Sequence, residues 1–244
     1  MSTSGSATRI AATSPSLWAS IGSNTVAAFT AEGRDISLKG DRNKVNYKIR
    51  PMRHEDIEAV SKLEKEVFPE LSPANYYREL NGSLAHYIVA CDNSIKPPPF
   101  AYKNFHWPFT RRKKQQADHI IGFAGIWFIA GESHLVSIAV RENYRQQGLG
   151  ELLLIGILDL SIKLKANMIT LEVRASNTPA QNLYIKYSFT VTGRRRCYYS
   201  DNKEDAIIMT LDNPSSETYQ HRLQELKESY AKKWGTADYS IGYR

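Results

Sequence analysis

The run Arg145-Gln-Gln-Gly148-Leu-Gly150 is the part of this sequence whose residue types most directly imply chemistry. It follows a strand-like segment ending at Val140 and leads into a helical apolar periodicity over 150–165. Two glycines let backbone approach a ligand closely, and the first turn of a helix carries unpaired N–H groups with positive partial charge. Together they predict a seat for a diphosphate, formed by Arg145, Gln146, Gln147, Gly148, Leu149, Gly150 and Glu151, with Arg145 adding a charge-assisted contact. A dinucleotide fingerprint would need a third glycine where this chain has Leu153, and a P-loop would need Lys-Ser or Lys-Thr after Gly150. The turn is neither. A second candidate is Glu172, an acid inside the apolar strand predicted over 168–173, on the alternate face from Leu171 and Val173. Partial burial should raise its pKa into the range of a general base. The competing reading pairs its carboxylate with a nearby arginine such as Arg174.

Positioning these groups requires a scaffold, and the pattern supplies one. Strands are predicted over 47–50, 87–90, 120–130, 135–140, 168–173, 190–198 and 206–211. Helices are predicted over 54–68, from an N-cap at Ser72 with Pro73 through Leu80, over 150–165 and over 179–187. Strands alternating with helices indicate an α/β domain over 47–212, with a mixed, partly parallel central sheet flanked by helices. Beyond it, Tyr219, Leu223, Leu226, Tyr230 and Trp234 fall on one side of a helix within the segment 213–244. That stripe is expected to pack on the domain or on a twin subunit rather than bind a cofactor.

Two further segments read as additions. Residues 1–46 are rich in Ser, Thr, Ala and Gly and keep no period, which predicts a disordered extension. With Arg9 as the single basic residue before Arg34, a transit peptide is the weaker alternative to a cytoplasmic protein with a tail. Residues 95–117 combine Pro97-Pro-Pro99, the basic residues Lys96, Lys103 and Arg111 to Lys114, and five aromatics, with no acid. This insertion is either a solvated hairpin tip or a contact for RNA or the ribosome. A net charge of +7 favours acidic partners. The two cysteines, Cys91 and Cys197, make no disulfide framework and have no metal-ligand spacing, and the histidines form no His-Glu-x-x-His pattern, so no metal is expected. The longest apolar run, 120–130, is too short for a bilayer, which needs about 20 residues, and no membrane partner is expected.

The blocks together resemble the GNAT acetyltransferases. Arg145-x-x-Gly148-x-Gly150 after a strand is similar to their coenzyme A pyrophosphate loop. Leu171-Glu-Val-Arg-Ala-Ser-Asn177, Ala180 to Tyr184, Arg195-Arg-Cys-Tyr-Tyr199 and Glu204 to Met209 resemble the RimI family of ribosomal-protein-alanine N-acetyltransferases. The resemblance covers 47–211 without the basic insertion. It implies the GNAT fold, with strands splayed beside the coenzyme, and acetyl-CoA as co-substrate. Backbone of Ile138, Ala139 and Val140 would then meet the pantetheine arm, and Asn177 would contact the coenzyme as well as cap its helix. Glu172 would act as general base through water, and Tyr184, otherwise an ordinary core tyrosine, would donate a proton to the departing sulfur. The sulfur is expected between these two side chains, both on one side of the sheet.

The implied acceptor is a protein N-terminus, in this family the N-terminal alanine of a small-subunit ribosomal protein. Physical chemistry agrees: an α-amine titrating near ~7.7–8.0 is roughly a tenth neutral at pH 7, against a few parts in about ten thousand for a lysine. That is about 3.5 kcal/mol less deprotonation work for a lone carboxylate. Arg194 to Arg196, Tyr198 and Tyr199 are candidates for the acceptor groove or an ordinary strand edge. Other N-termini, lysine side chains, and an RNA-binding module on the same scaffold are the alternatives.

Overall fold

The computed structural model of the chain describes residues 47–69, 74–94 and 118–239. The predicted extension 1–46, the basic insertion 95–117 and the Ser72-Pro73 cap lie outside them. Among the described residues, eight strands form one sheet in the order β6-β7-β5-β4-β3-β2-β1-β8. They are β1 (Tyr47–Pro51), β2 (Ala85–Asp92), β3 (Ile120–Ile129), β4 (Glu132–Val140), β5 (Met168–Arg174), β6 (Thr190–Arg195), β7 (Ala206–Asp212) and β8 (Asp238–Tyr239). β4 pairs parallel with β5 and β1 with β8, and the remaining pairs are antiparallel. This is the mixed sheet read from the sequence.

Helices cover both faces. On one face, α1 (Ile57–Val67) and α2 (Tyr76–Leu80) bury Val60, Leu63 and Tyr76 against Val89, Cys91, Phe123 and Val136. α2 is capped by Asn75, whose side chain accepts the Arg78 N–H. On the other face lie α3 (Leu149–Lys163), α4 (Thr178–Lys186) and α5 (Glu217–Trp234), packed on Ile88, Ala124, Leu135, Ile138, Leu171 and Val173.

α3 is expected from the sequence to have one apolar face, yet it is buried nearly all round, from Leu149 to Ser161 with only Glu151 and Asp159 half-exposed. The reason is α5. Its stripe of Tyr219, Leu223, Leu226 and Tyr230 joins the same core and encloses α3 between a helix and the sheet. Lys227 and the Tyr239 hydroxyl both reach Asp159 on α3, the latter at 2.7 Å. β6 stops at Arg195, short of the predicted 198, because Cys197 turns into the left-handed region at φ 51°.

At the insertion, a buried ion pair fixes the ends of the sheet. Arg50 grips Asp56 with two hydrogen bonds of 2.6 and 2.9 Å and reaches Asp118 at 2.8 Å. Asp118 is the first described residue after the basic segment.

Candidate active site

β4 and β5 run together from the Glu132–Met168 pair to the Leu135–Leu171 pair and then part. The cause lies in β4. Gly125 of β3 pairs with Ser137 and Ile126 with Leu135, which leaves Val136 as an extra residue at the point of separation. Such a bulge bends and over-twists its strand. β5 does not follow, because β7 holds it along its whole length, from Met168–Asp212 to Arg174–Ala206. A wedge-shaped gap therefore opens through the sheet between 136–140 and 172–174.

On the α3 side, the gap leads to a cavity of about 190 Å³. Its walls are Val140 from the end of β4, Arg145, Gln146, Gly148, Gly150 and Glu151 from the turn, Pro179 and Leu183 from α4, and Trp234 from α5. Gly148 caps α3 at φ 79°, a left-handed conformation that favours glycine, and no side chain caps the helix. The first-turn N–H groups thus remain available to an anion. The turn residues are those on which the sequence predicts a diphosphate seat.

The other residues of the turn are placed differently from one another. Gln147 braces the turn, donating to the Asn143 carbonyl at 2.8 Å and accepting from the Tyr47 hydroxyl at 3.1 Å. Leu149 is buried in the core, as are Ile138 and Val140, so these three have only backbone to give a ligand. The Glu151 carboxylate is held by Lys186 and by the Tyr187 hydroxyl at 2.7 Å, which offsets its charge beside an anion seat. Asn177 caps α4, its side chain accepting the Ala180 N–H at 3.2 Å, with Pro179 in the first turn.

Glu172 and Tyr184 flank the gap from opposite sides of the sheet, which corrects the expectation of a shared side. Leu171 and Val173 point into the α3 core that includes Tyr184, so the alternation of the strand turns Glu172 toward the α1 face. The two remain close enough to act on a common neighbour, Tyr199. Tyr199 reports this: burial raises its pKa, Arg174 opposes the rise, and Glu172 and Tyr184 are both near enough to add to it.

The charge state of Glu172 is also corrected. Burial pushes its pKa up as expected, but a hydrogen bond and charge from His134, together with Arg195, outweigh burial and leave it below the ordinary 4.5. His134 Nε2 stands 2.9 Å and the Arg195 guanidinium 3.1 Å from the two carboxylate oxygens. Arg174, the partner first considered, is taken by Asp201 at 3.0 Å and Glu204 at 3.4 Å and stacks on Tyr199. His134 itself carries no motif. Its opposite residue on β5 is Thr170, to which its other ring nitrogen is hydrogen-bonded at 3.0 Å, and Glu172 is the next residue on that face. Only the strand register could have identified it.

A depressed folded-state pKa means that Glu172 adds stability above its ordinary value and loses that contribution as pH falls through the folded value. His134→Ala removes the hydrogen bond that does most to oppose burial. The Glu172 pKa is expected to move upward in that variant, as read by NMR titration of the labelled carboxylate. An unmoved value would mean that Arg195 alone sets it.

Tyr184 differs in kind. Burial raises its pKa, so the phenol keeps its proton through the physiological range. Its ring lies 5.7 Å from that of Phe189, and its hydroxyl makes no hydrogen bond among the described residues. On the α1 side, a small cavity beside Val136 and Ser137 is lined by Glu64 and Glu79, which accept hydrogen bonds from Tyr76 (2.8 Å) and from Tyr87 and Trp127 (2.5 and 3.2 Å). The predicted groove residues divide: Arg195 belongs to Glu172 and Tyr199 is buried, whereas Arg194 pairs with Asp205 at 2.6 Å.

The chain is similar to known proteins. The profile of the acetyltransferase (GNAT) family matches residues 58–189. A Bacillus subtilis (strain 168) protein provisionally named a ribosomal protein bS18-alanine N-acetyltransferase is 33% identical over 168 residues, 68% of this chain and 95% of that protein. An N-alpha-acetyltransferase of Sulfurisphaera tokodaii is 30% identical over 67% of this chain and 91% of its own length. Among solved structures, the Escherichia coli ribosomal-protein-S18-alanine N-acetyltransferase superposes with a TM-score of 0.53 at 26% identity, covering 68% of this chain and 94% of that one.

Proposed function

Because the chain belongs to the GNAT acetyltransferase family, we propose that it is a RimI-like enzyme transferring the acetyl group of acetyl-CoA to a protein N-terminal amine, with the N-terminal alanine of a small-subunit ribosomal protein as acceptor. The observation that carries this reading is the gap between β4 and β5, with anionic Glu172 at one mouth and protonated Tyr184 at the other.

In this reading the coenzyme diphosphate sits on the uncapped start of α3, on N–H groups of the turn and on Arg145. The pantetheine arm runs along 138–140, where β4 has no strand partner on the side of β5, and Asn177 shapes the mouth by capping α4. The acceptor amine arrives from the α1 face, where buried Glu64 and half-buried Glu79 favour a cationic group. The amine sheds one proton to solvent, its neutral form attacks the thioester carbon, and Glu172 takes the second proton from that nitrogen through water. The carbon–sulfur bond breaks, and Tyr184 gives its proton to the departing sulfur and recovers one from solvent. A weakly basic carboxylate suits an α-amine, which needs only modest help to lose a proton, better than a lysine. The basic segment 95–117, rich in Lys, Arg and aromatic residues, is read as a contact for the ribosome.

The test is a peptide beginning with alanine and carrying an internal lysine, incubated with acetyl-CoA and mapped by mass spectrometry. Acetylation is expected on the α-amine alone. Modification confined to the lysine would defeat the assignment.

A further inference from the structure

We infer that Trp234, at the end of the C-terminal helix α5, is part of the coenzyme site and holds its diphosphate half, an inference that rests on the coenzyme reading above. α5 lies outside the segment 58–189 that matches the family, so nothing in the family profile assigns it a role. The geometry does. A β-carbon placed on Gly148 would lie 2.8 Å from the indole ring, so the ring rests directly on the glycine that caps α3. The same side chain lines the cavity of about 190 Å³ together with Arg145 and Gly150. That volume is below the roughly 300–1,000 Å³ of pockets enclosing a whole drug-sized ligand, and so fits one portion of a coenzyme.

The second observation is an unmet donor. The indole Nε1–H of Trp234 is buried and meets no acceptor among the described residues. Leaving such a donor unpaired is unfavourable. A phosphate oxygen in the adjoining cavity is an acceptor of the kind it lacks, and a hydrogen bond to a charged group is stronger than one to a neutral group. Lys233 Nζ lies 4.7 Å from the indole ring centroid. Core contacts of Tyr219, Leu223, Leu226 and Tyr230 hold α5 in place, so the indole is presented on a fixed element.

Trp234→Phe keeps a ring on Gly148 and removes the donor, whereas Trp234→Ala removes both. Calorimetric Kd for coenzyme A is expected to rise about 10-fold in the phenylalanine variant and further in the alanine variant. With acetyl-pantetheine, which has neither diphosphate nor adenosine, kcat/KM should stay at the wild-type value in both. The inference fails if the phenylalanine variant binds coenzyme A like the wild type, or if kcat/KM falls equally with acetyl-CoA and acetyl-pantetheine, the mark of a merely structural role. Wild-type protein that bound no coenzyme A would instead remove the reading beneath it, so that titration comes first.

Discussion

Glu172→Gln is expected to lower kcat about 100-fold or more while leaving the Kd for coenzyme A unchanged. The substitution keeps the shape of a buried side chain and removes its charge. What it disrupts is a carboxylate held anionic by His134 and Arg195, on the face of the sheet opposite the diphosphate seat. Coenzyme affinity should therefore be spared, and rate should not. Because the Glu172 pKa lies below the ordinary 4.5, its protonation does not shape activity near neutrality. The acid limb of kcat/KM in the wild type should follow the acceptor amine, near ~7.7–8.0 for an α-amine. Wild-type turnover by the glutamine variant at neutral pH would take Glu172 out of the mechanism, and a limb that ignored the acceptor's pKa would oppose the α-amine.

Tyr184→Phe should fold with an unchanged Tm and lose on the order of 10²-fold in kcat. Stability is spared because the hydroxyl makes no hydrogen bond among the described residues, while the ring keeps its place beside Phe189 and in the core. A hydroxyl with no structural partner among the described residues gives the fold little, which is the reason to look for its use in the reaction. Since burial raises its pKa, the phenol enters the reaction protonated and is poised to donate. The loss should shrink when the leaving thiol is more acidic, because a better leaving group needs less help. A rate equal to wild type with ordinary acetyl-CoA would assign the proton to another group. A drop in Tm matching the drop in rate would reduce Tyr184 to packing.

Much of the scaffold was legible because its signals are local. The alternation of 168–173, the Asn177-Thr-Pro179 cap and the glycine turn each depend on residues close in sequence. The failures have a common cause in contacts between distant segments. Glu172 looked like a carboxylate with a raised pKa because its own strand is apolar, and the two partners that reverse the shift, His134 and Arg195, come from β4 and from the end of β6. α3 looked one-sided because α5, which buries its second face, begins more than fifty residues after α3 does. β8 escaped notice altogether, since two residues pairing with β1 carry no period of their own.

The amino-acid order by itself determined the glycine turn, the strand that bears Glu172, the helix that bears Tyr184 and the family to which they belong, because each is written in neighbouring residues. Only the tertiary structure decided that β4 and β5 separate after Leu135 and Leu171, that Glu172 is held anionic, and that Trp234 closes over Gly148. The physical reason is register: a one-residue bulge at Val136 and the docking of a remote helix fix which distant atoms meet, and no local pattern encodes that choice.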